Sequence, residues 1–221
     1  MIAGEFRAGT QAIEKSSVLG HLKEERGIRK ILVAGSGAVG KTTLIAALTR
    51  NQVMSGGVNG LGGYRRTLFL DLQTLRVHDE ETSGNSQRTL QFLDVAGQLN
   101  SPIHPIRDTS RSTLGLVDTV LLVFASDSAQ SLIDLRAWIT LLETQCSSLT
   151  SPVLPEYVLV RNKTDLPLTV DRELVEVLRT RTHISHYFET SCATGEGIDE
   201  LRLWLLRGEP CTQARGGVCT R

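Results

Sequence analysis

Residues 35–42 read Gly-Ser-Gly-Ala-Val-Gly-Lys-Thr, between an apolar run (Ile31 to Ala34) and a helical pattern that continues from Thr43 to Arg50. A G-x-x-x-x-G-K-[ST] loop needs a strand entering it and a helix leaving it, and both flanks are present. Glycines at 35, 37 and 40 let the backbone curl until successive N–H groups point into one concavity, where a polyphosphate can approach closely. The candidate phosphate site is Gly35, Gly37, Ala38, Val39 and Gly40 of the loop, with Lys41, Thr42 and Thr43 at the helix start. Lys41 can reach the outer phosphates as a point charge, and the Thr42 hydroxyl can complete a magnesium shell. The helix turns its positive dipole end to the same anion. A Gly-rich turn carrying a surface lysine is the competing reading, and it leaves the two flanks unexplained.

Composition narrows the partners. Twenty-four basic and 24 acidic residues balance to zero formal charge, so neither a nucleic acid nor an anionic membrane is an expected partner. The longest apolar runs, such as Val120 to Ala125, are far short of a spanning helix, and the N-terminus lacks a basic-then-apolar leader pattern. Cysteines 146, 192, 211 and 219 match no metal spacing and suit reduced thiols in a cytoplasmic protein. Cys219 is third from the end and Gly4 is misplaced for myristoylation, so no intrinsic membrane anchor is expected. Reversible acylation of the tail cysteines stays open.

The expected organisation is an N-terminal extension over 1–27, one domain over 28–207 and a flexible Gly-rich tail over 208–221. Ile13, Val18, Leu19 and Leu22 mark one short helix in the extension. Strands are expected at 29–34, 68–77, 88–95, 118–125, 157–162 and 186–190. Helices are expected at 41–51, 129–146, 171–180 and 197–206, with a fifth near 108–116. The stretch from His78 to Gln87 is short and polar, with Gly84-Asn85 at its centre, which implies an antiparallel hairpin. The other strands are separated by helical stretches and imply parallel crossovers. The fold class is therefore α/β in three layers, a six-stranded, mostly parallel sheet with one antiparallel edge strand. Ligands of such sheets collect beyond the carboxyl ends of the strands.

Three further segments fall at those ends. Asp94-Val-Ala-Gly97-Gln98 follows the apolar Leu90 to Leu93; the acid can hold magnesium through a water, and Gly97 frees a backbone N–H for a terminal phosphate. Asn162-Lys163-Thr164-Asp165 follows Tyr157 to Val160. A carboxylate at Asp165 can accept from both N1–H and the exocyclic amine of guanine, a donor pair that adenine lacks. Leaving it unpaired costs several kcal/mol, and that sets base choice. Thr190-Ser191-Cys192-Ala193-Thr194 ends the sixth strand, where a backbone N–H can meet the guanine carbonyl.

In this order and at these spacings, the four segments resemble the Ras superfamily of small GTPases over roughly residues 29 to 206. The resemblance implies the three-layer P-loop NTPase (small G protein) fold with about five helices, GTP and GDP as ligands and Mg2+ as cofactor. By motif, Lys41 and Thr42 serve phosphate and metal, Gln98 orients the attacking water, and Asn162, Lys163 and Asp165 hold the base, beside Ser191, Cys192 and Ala193. A gapless reading makes Cys192 the base-contacting position, whereas the Thr-Cys-Ala-Thr style of heterotrimeric G-protein α subunits makes it Ala193. Arg66-Thr67-Leu-Phe-Leu-Asp71-Leu looks like the switch I stretch of bacterial polarity and gliding GTPases. That makes Thr67 a metal ligand alongside Thr42 and Asp94. Arg66 is then either a built-in arginine finger or a solvated charge beside Arg65.

The resemblance implies regulatory partners: an activator, an exchange factor and an effector, with a roadblock-fold dimer as the activator of the polarity-type relatives. The chain departs from the family where Ser-Cys-Ala replaces Ser-Ala-Lys, and where Pro102 and Pro105 stiffen the segment after Gln98. Two functional readings result. One is a GTP-hydrolysing switch; the other is a GTP-binding scaffold with little turnover. His183 and His186 have ligand-like spacing without a third ligand, His104 is expected as a surface-loop residue, and Trp138 and Trp204 as core. Cys192 is expected as a small buried apolar residue.

Overall fold

A computed structural model describes residues 28–49, 67, 70–78, 87–99, 104, 106, 117–147, 155–182, 184 and 186–207. The elements are β1 (Ile28–Ala34), α1 (Lys41–Thr49), β2 (Leu70–His78), β3 (Gln87–Val95), β4 (Thr119–Ala125), α2 (Ala129–Ser147), β5 (Glu156–Asn162), α3 (Arg172–Thr182), β6 (His186–Glu189) and α4 (Ile198–Arg207). One six-stranded sheet has the order β2-β3-β1-β4-β5-β6. β2 and β3 pair antiparallel, from Leu70 opposite Val95 to His78 opposite Gln87, as the short polar connection requires. The other neighbours are parallel. Element ends differ from the sequence reading by one or two residues, where helices and strands fray. Four helices lie among the described residues. The fifth expected near 108–116, the segment 1–27 and the tail 208–221 lie outside them.

β4 is buried at all seven positions. An unbroken apolar run without polar alternation is what a central parallel strand needs, because helices cover both its faces. The pleat sends Val120, Leu122 and Phe124 to one side, against Leu132, Leu135 and Trp138 of α2 and Val175 and Leu178 of α3. Leu121, Val123 and Ala125 face the other side, against Leu44, Ile45 and Leu48 of α1 and Leu201, Trp204 and Leu205 of α4. Both tryptophans are core, as their helix positions imply. His186 stacks on Trp204 with ring centroids 4.8 Å apart and pairs with Glu156 at 3.2 Å, so its role is structural. Among the described residues, no group of three or more His, Cys, Asp or Glu side chains could hold a metal. No described helix is long and apolar enough to cross a membrane.

The helix starts differ in a way that matters for the site. Ser128 Oγ accepts the Ser131 N–H ahead of α2 at 3.3 Å, and Asp171 Oδ1 accepts the Glu173 N–H ahead of α3 at 2.9 Å. α1 instead starts directly after Gly40 and carries no acidic residue in its first turn. Its dipole end is left to face whatever anion the preceding loop encloses.

Phe124 is fully buried between β4 and the α2–α3 layer. Phe124→Ala should lower stability by about 3–5 kcal/mol through lost transfer energy and a residual cavity. Urea unfolding should show a lower midpoint at unchanged slope; a loss under ~1 kcal/mol would mean this face is not the closely packed one.

Candidate functional site

Strands β1, β3, β4 and β5 run parallel in the register Val33 beside Asp94 and Leu121, and Ala125 beside Asn162. The segments that follow them therefore gather at one edge of the sheet. The loop from Gly35 to Gly40 passes through left-handed backbone at Ala38 (φ 63°) and Gly40 (φ 94°). At Gly40 a Cβ would collide with the Asn162 amide, so glycine is required by both φ and contact.

Lys41 opens α1 and is only 7% exposed. Its Nζ donates to the Gly35 and Ser36 carbonyls, each at 2.9 Å. Burial pulls the ammonium down to about 8, against the opposing field of Asp94. A neighbouring anion would favour the charged form again. Thr42 and Thr43 follow as exposed residues at the helix mouth.

Asp94, fully buried at the end of β3, brings two hydroxyls together. Its Oδ2 accepts from Thr42 at 2.5 Å and from Thr67 at 3.2 Å, and the two threonine hydroxyls are 3.2 Å apart. Asp94 Oδ1 is buried without a hydrogen-bond partner among the described residues. Gly97 faces the phosphate loop so closely that a Cβ there would lie 2.6 Å from Gly37 N and 2.7 Å from Lys41 Nζ. Gln98 is exposed immediately beyond it. Arg66 lies outside the described residues.

The second half of the site assembles around Asn162, which is 1% exposed. Its Nδ2 donates to the Val39 carbonyl of the phosphate loop at 2.9 Å, while its Oδ1 accepts from Thr190 at 3.3 Å and from the Cys192 thiol at 3.4 Å. Lys163 has left-handed backbone (φ 62°) and its ammonium is 3.5 Å from Asp127, which follows β4. Asp165 is exposed and accepts the Ser191 hydroxyl at 2.5 Å. The Ser191 Oγ also accepts the Thr194 N–H at 3.1 Å, and Ala193 is exposed beside it.

The structure corrects two expectations, at His104 and Cys192, and adds three residues. His104 is fully buried rather than a surface-loop residue. Its Nε2 lies 3.2 Å from the Ala96 carbonyl, its Nδ1 accepts the Ile106 N–H at 3.3 Å, and its ring meets Trp138 edge-on at 5.4 Å. Those contacts assign the neutral Nε2–H tautomer. Ser36, Asp134 and Asp127 also line the site: the Ser36 hydroxyl donates to Asp134 Oδ2 at 2.7 Å. No local pattern marks these residues, because Ser36 and Asp134 are separated by 98 positions. Cys192 is half-buried rather than a wholly apolar filler, since its thiol donates to Asn162.

A sequence profile described as the Ras family matches residues 30–208. The chain belongs to the Ras family. It is 30% identical over 201 residues to the human Ras-related protein Rab-27B, covering 83% of both chains, and 29% identical over 201 residues to the bovine protein. It is also 31% identical over 188 residues to the Ras and EF-hand domain-containing protein of Xenopus tropicalis, over 80% of this chain. The match spans 23% of that relative's length. Ras-family small GTPases bind GTP and GDP with magnesium and act through regulators and effectors.

Magnesium fits the residues present. Thr42, Thr67 and Asp94 offer oxygen atoms alone, suited to a hard cation, and the unpartnered Asp94 Oδ1 is the buried polar atom that such a charge would satisfy.

Burial raises the Cys192 thiol from 9.0 to about 11, and Asp165 reinforces the rise. At pH 8 its thiolate fraction should be about a hundredth of an ordinary thiol's. Alkylation by iodoacetamide, followed at this residue by mass spectrometry, should be about a hundredfold slower than that of glutathione and accelerate up to about pH 11. Equal rates at pH 8 would place the thiol in water.

Proposed function

We propose that this chain is a GTP-hydrolysing switch, dependent on magnesium and working in the cytoplasm. The meeting of Thr42, Thr67 and Asp94 within 3.2 Å, beside Lys41, is the observation that carries this reading. Thr67 belongs to the segment ahead of β2, 25 positions after Thr42, and a metal–phosphate centre would give those two hydroxyls and the carboxylate they share a common purpose.

Thr42 and Thr67 would hold magnesium through their hydroxyls, and Asp94 directly or through water. When bound, that ion supplies charge neutralisation at the phosphate oxygens. Lys41 and the backbone N–H groups of the loop hold the phosphates, and Gly97 meets the terminal one. Gln98 orients the attacking water. Asp165 accepts from the guanine N1–H and amine, held in place by Ser191, with the Lys163 stem along the base. Asn162 joins the base loop to the phosphate loop, and a backbone N–H of Cys192 or Ala193 meets the guanine carbonyl. Phosphoryl transfer leaves little covalent work for the protein, so placement and charge carry the rate. Loss of the terminal phosphate removes what holds Thr67 and Gly97, and a partner surface changes with them.

The Arg66 to Leu72 wording supports a tie to bacterial polarity and gliding GTPases, with a roadblock-fold dimer as activator. Arg66 is then either the built-in finger or a solvated charge beside Arg65. Single-turnover hydrolysis with magnesium should proceed near ~10⁻² s⁻¹ if it acts in cis, against ~10⁻⁴ s⁻¹ without it. GTP binding with no turnover, even with a candidate activator, would favour the scaffold reading. Gln98→Leu should cut hydrolysis by about a hundredfold or more at nearly unchanged GTP affinity; equal rates in mutant and parent would remove Gln98 from the chemistry. In competition binding, Asp165→Asn should move preference from guanosine towards xanthosine nucleotides, and an unchanged preference would remove Asp165 from base recognition.

A further inference from the structure

We propose that Asp134 of α2 is a positioning residue for the phosphate loop, acting through the Ser36 hydroxyl. The inference rests on the nucleotide-binding reading above and adds a tie from outside the four motifs. Both Asp134 oxygens are partnered: Oδ2 accepts from Ser36 Oγ at 2.7 Å, and Oδ1 accepts from Gln130 Nε2, one turn earlier on α2, at 2.7 Å. α2 is a fixed post, because Leu135 and Trp138 beside Asp134 are fully buried in the core. The loop end of the tie is the opposite. Gly35-Ser36-Gly37 places one side chain between two glycines, so Ser36 is the handle by which packed structure can grip this stretch.

What the handle holds is the centre of the site. The Ser36 carbonyl accepts from Lys41 Nζ at 2.9 Å. A Cβ on Gly97 would lie 2.7 Å from the Ser36 carbonyl carbon and 2.6 Å from Gly37 N, so the Ser36–Gly37 peptide is the surface that Gly97 abuts. A shift of a few tenths of an ångström there moves the lysine's acceptor and the Gly97 contact together. A hydroxyl-to-carboxylate bond at 2.7 Å is charge-assisted and stronger than a neutral one. Partial exposure of both residues weakens it, and leaves an effect measured in single-digit to tenfold factors.

The test uses the full chain loaded with magnesium and GDP. Ser36→Ala, Asp134→Ala, the double variant and Asp134→Asn are compared for GDP release, single-turnover GTP hydrolysis and melting temperature. Either single alanine change should speed GDP release about three- to tenfold. The double variant should do no more than the larger single effect, because the two residues share one bond. Asp134→Asn keeps a partner for the Ser36 hydroxyl and should stay within about twofold of the parent. Additive single effects, or unchanged GDP release with only a lowered melting temperature, would show a merely structural pair and overturn the proposal. A parent that binds neither GDP nor GTP would overturn the nucleotide reading and this inference with it. A parent that binds both, with release unchanged in every variant, would overturn this inference alone.

Discussion

A lysine ammonium that is 7% exposed needs fixed acceptors for its donors, and Lys41 finds two of them in the Gly35 and Ser36 carbonyls of its own loop. That arrangement dictates the loop's path. For carbonyls five and six positions earlier to reach Nζ, the backbone must curl back over the start of α1 and pass through left-handed conformations at Ala38 and Gly40. The same curl keeps side-chain caps away from the helix mouth and turns its dipole end inward. Burial disfavours the ammonium and pulls its pKa down to about 8, while the field of Asp94 opposes that shift. The site is thus built with its positive group under-compensated, which is the electrostatic state that a phosphate relieves.

The sheet makes this local arrangement into a site. With Val33 beside Asp94 and Ala125 beside Asn162, parallel register delivers the strand-end segments to one edge within reach of each other. Asn162 then ties the two halves: one amide group donates to Val39 of the phosphate loop and accepts from Thr190 and Cys192 of the base loop. The fully buried β4 in the middle cannot slip by one residue without turning its apolar side chains onto the wrong helix layer, so the register is held by the core. Precision at the edge is a consequence of packing beneath it.

Much of this was legible beforehand because it depends on spacing. The loop from Gly35 to Thr42, the acid and glycine at Asp94 and Gly97, and Asn162 to Asp165 each sit within a few residues of a strand end. The alternation of apolar runs with helical patterns located every described element to within two residues. The antiparallel β2–β3 pair followed from a connection too short and polar for a crossover. Contacts between distant segments were legible only where the family resemblance supplied them, as for Thr42, Thr67 and Asp94. His104 read as a loop residue because its spacing carries no sign that Ala96, Ile106 and Trp138 enclose it. Ser36 carried no assigned role because its acceptor is on a helix 98 positions away.

By itself the sequence determined the residue chemistry: glycines where the backbone must turn and approach, a lysine and a threonine at a helix start, and acids and an asparagine at strand ends. These are local requirements, and local order in the chain suffices to state them. Only the tertiary structure decided which of those groups meet. It brought Thr67 to Thr42 and Asp94, seated Asn162 against Val39, turned Cys192 from apolar filler into a donor, and fastened Ser36 to Asp134. Such meetings are set by strand register and helix packing, sums over dozens of buried contacts that no short stretch of chain contains.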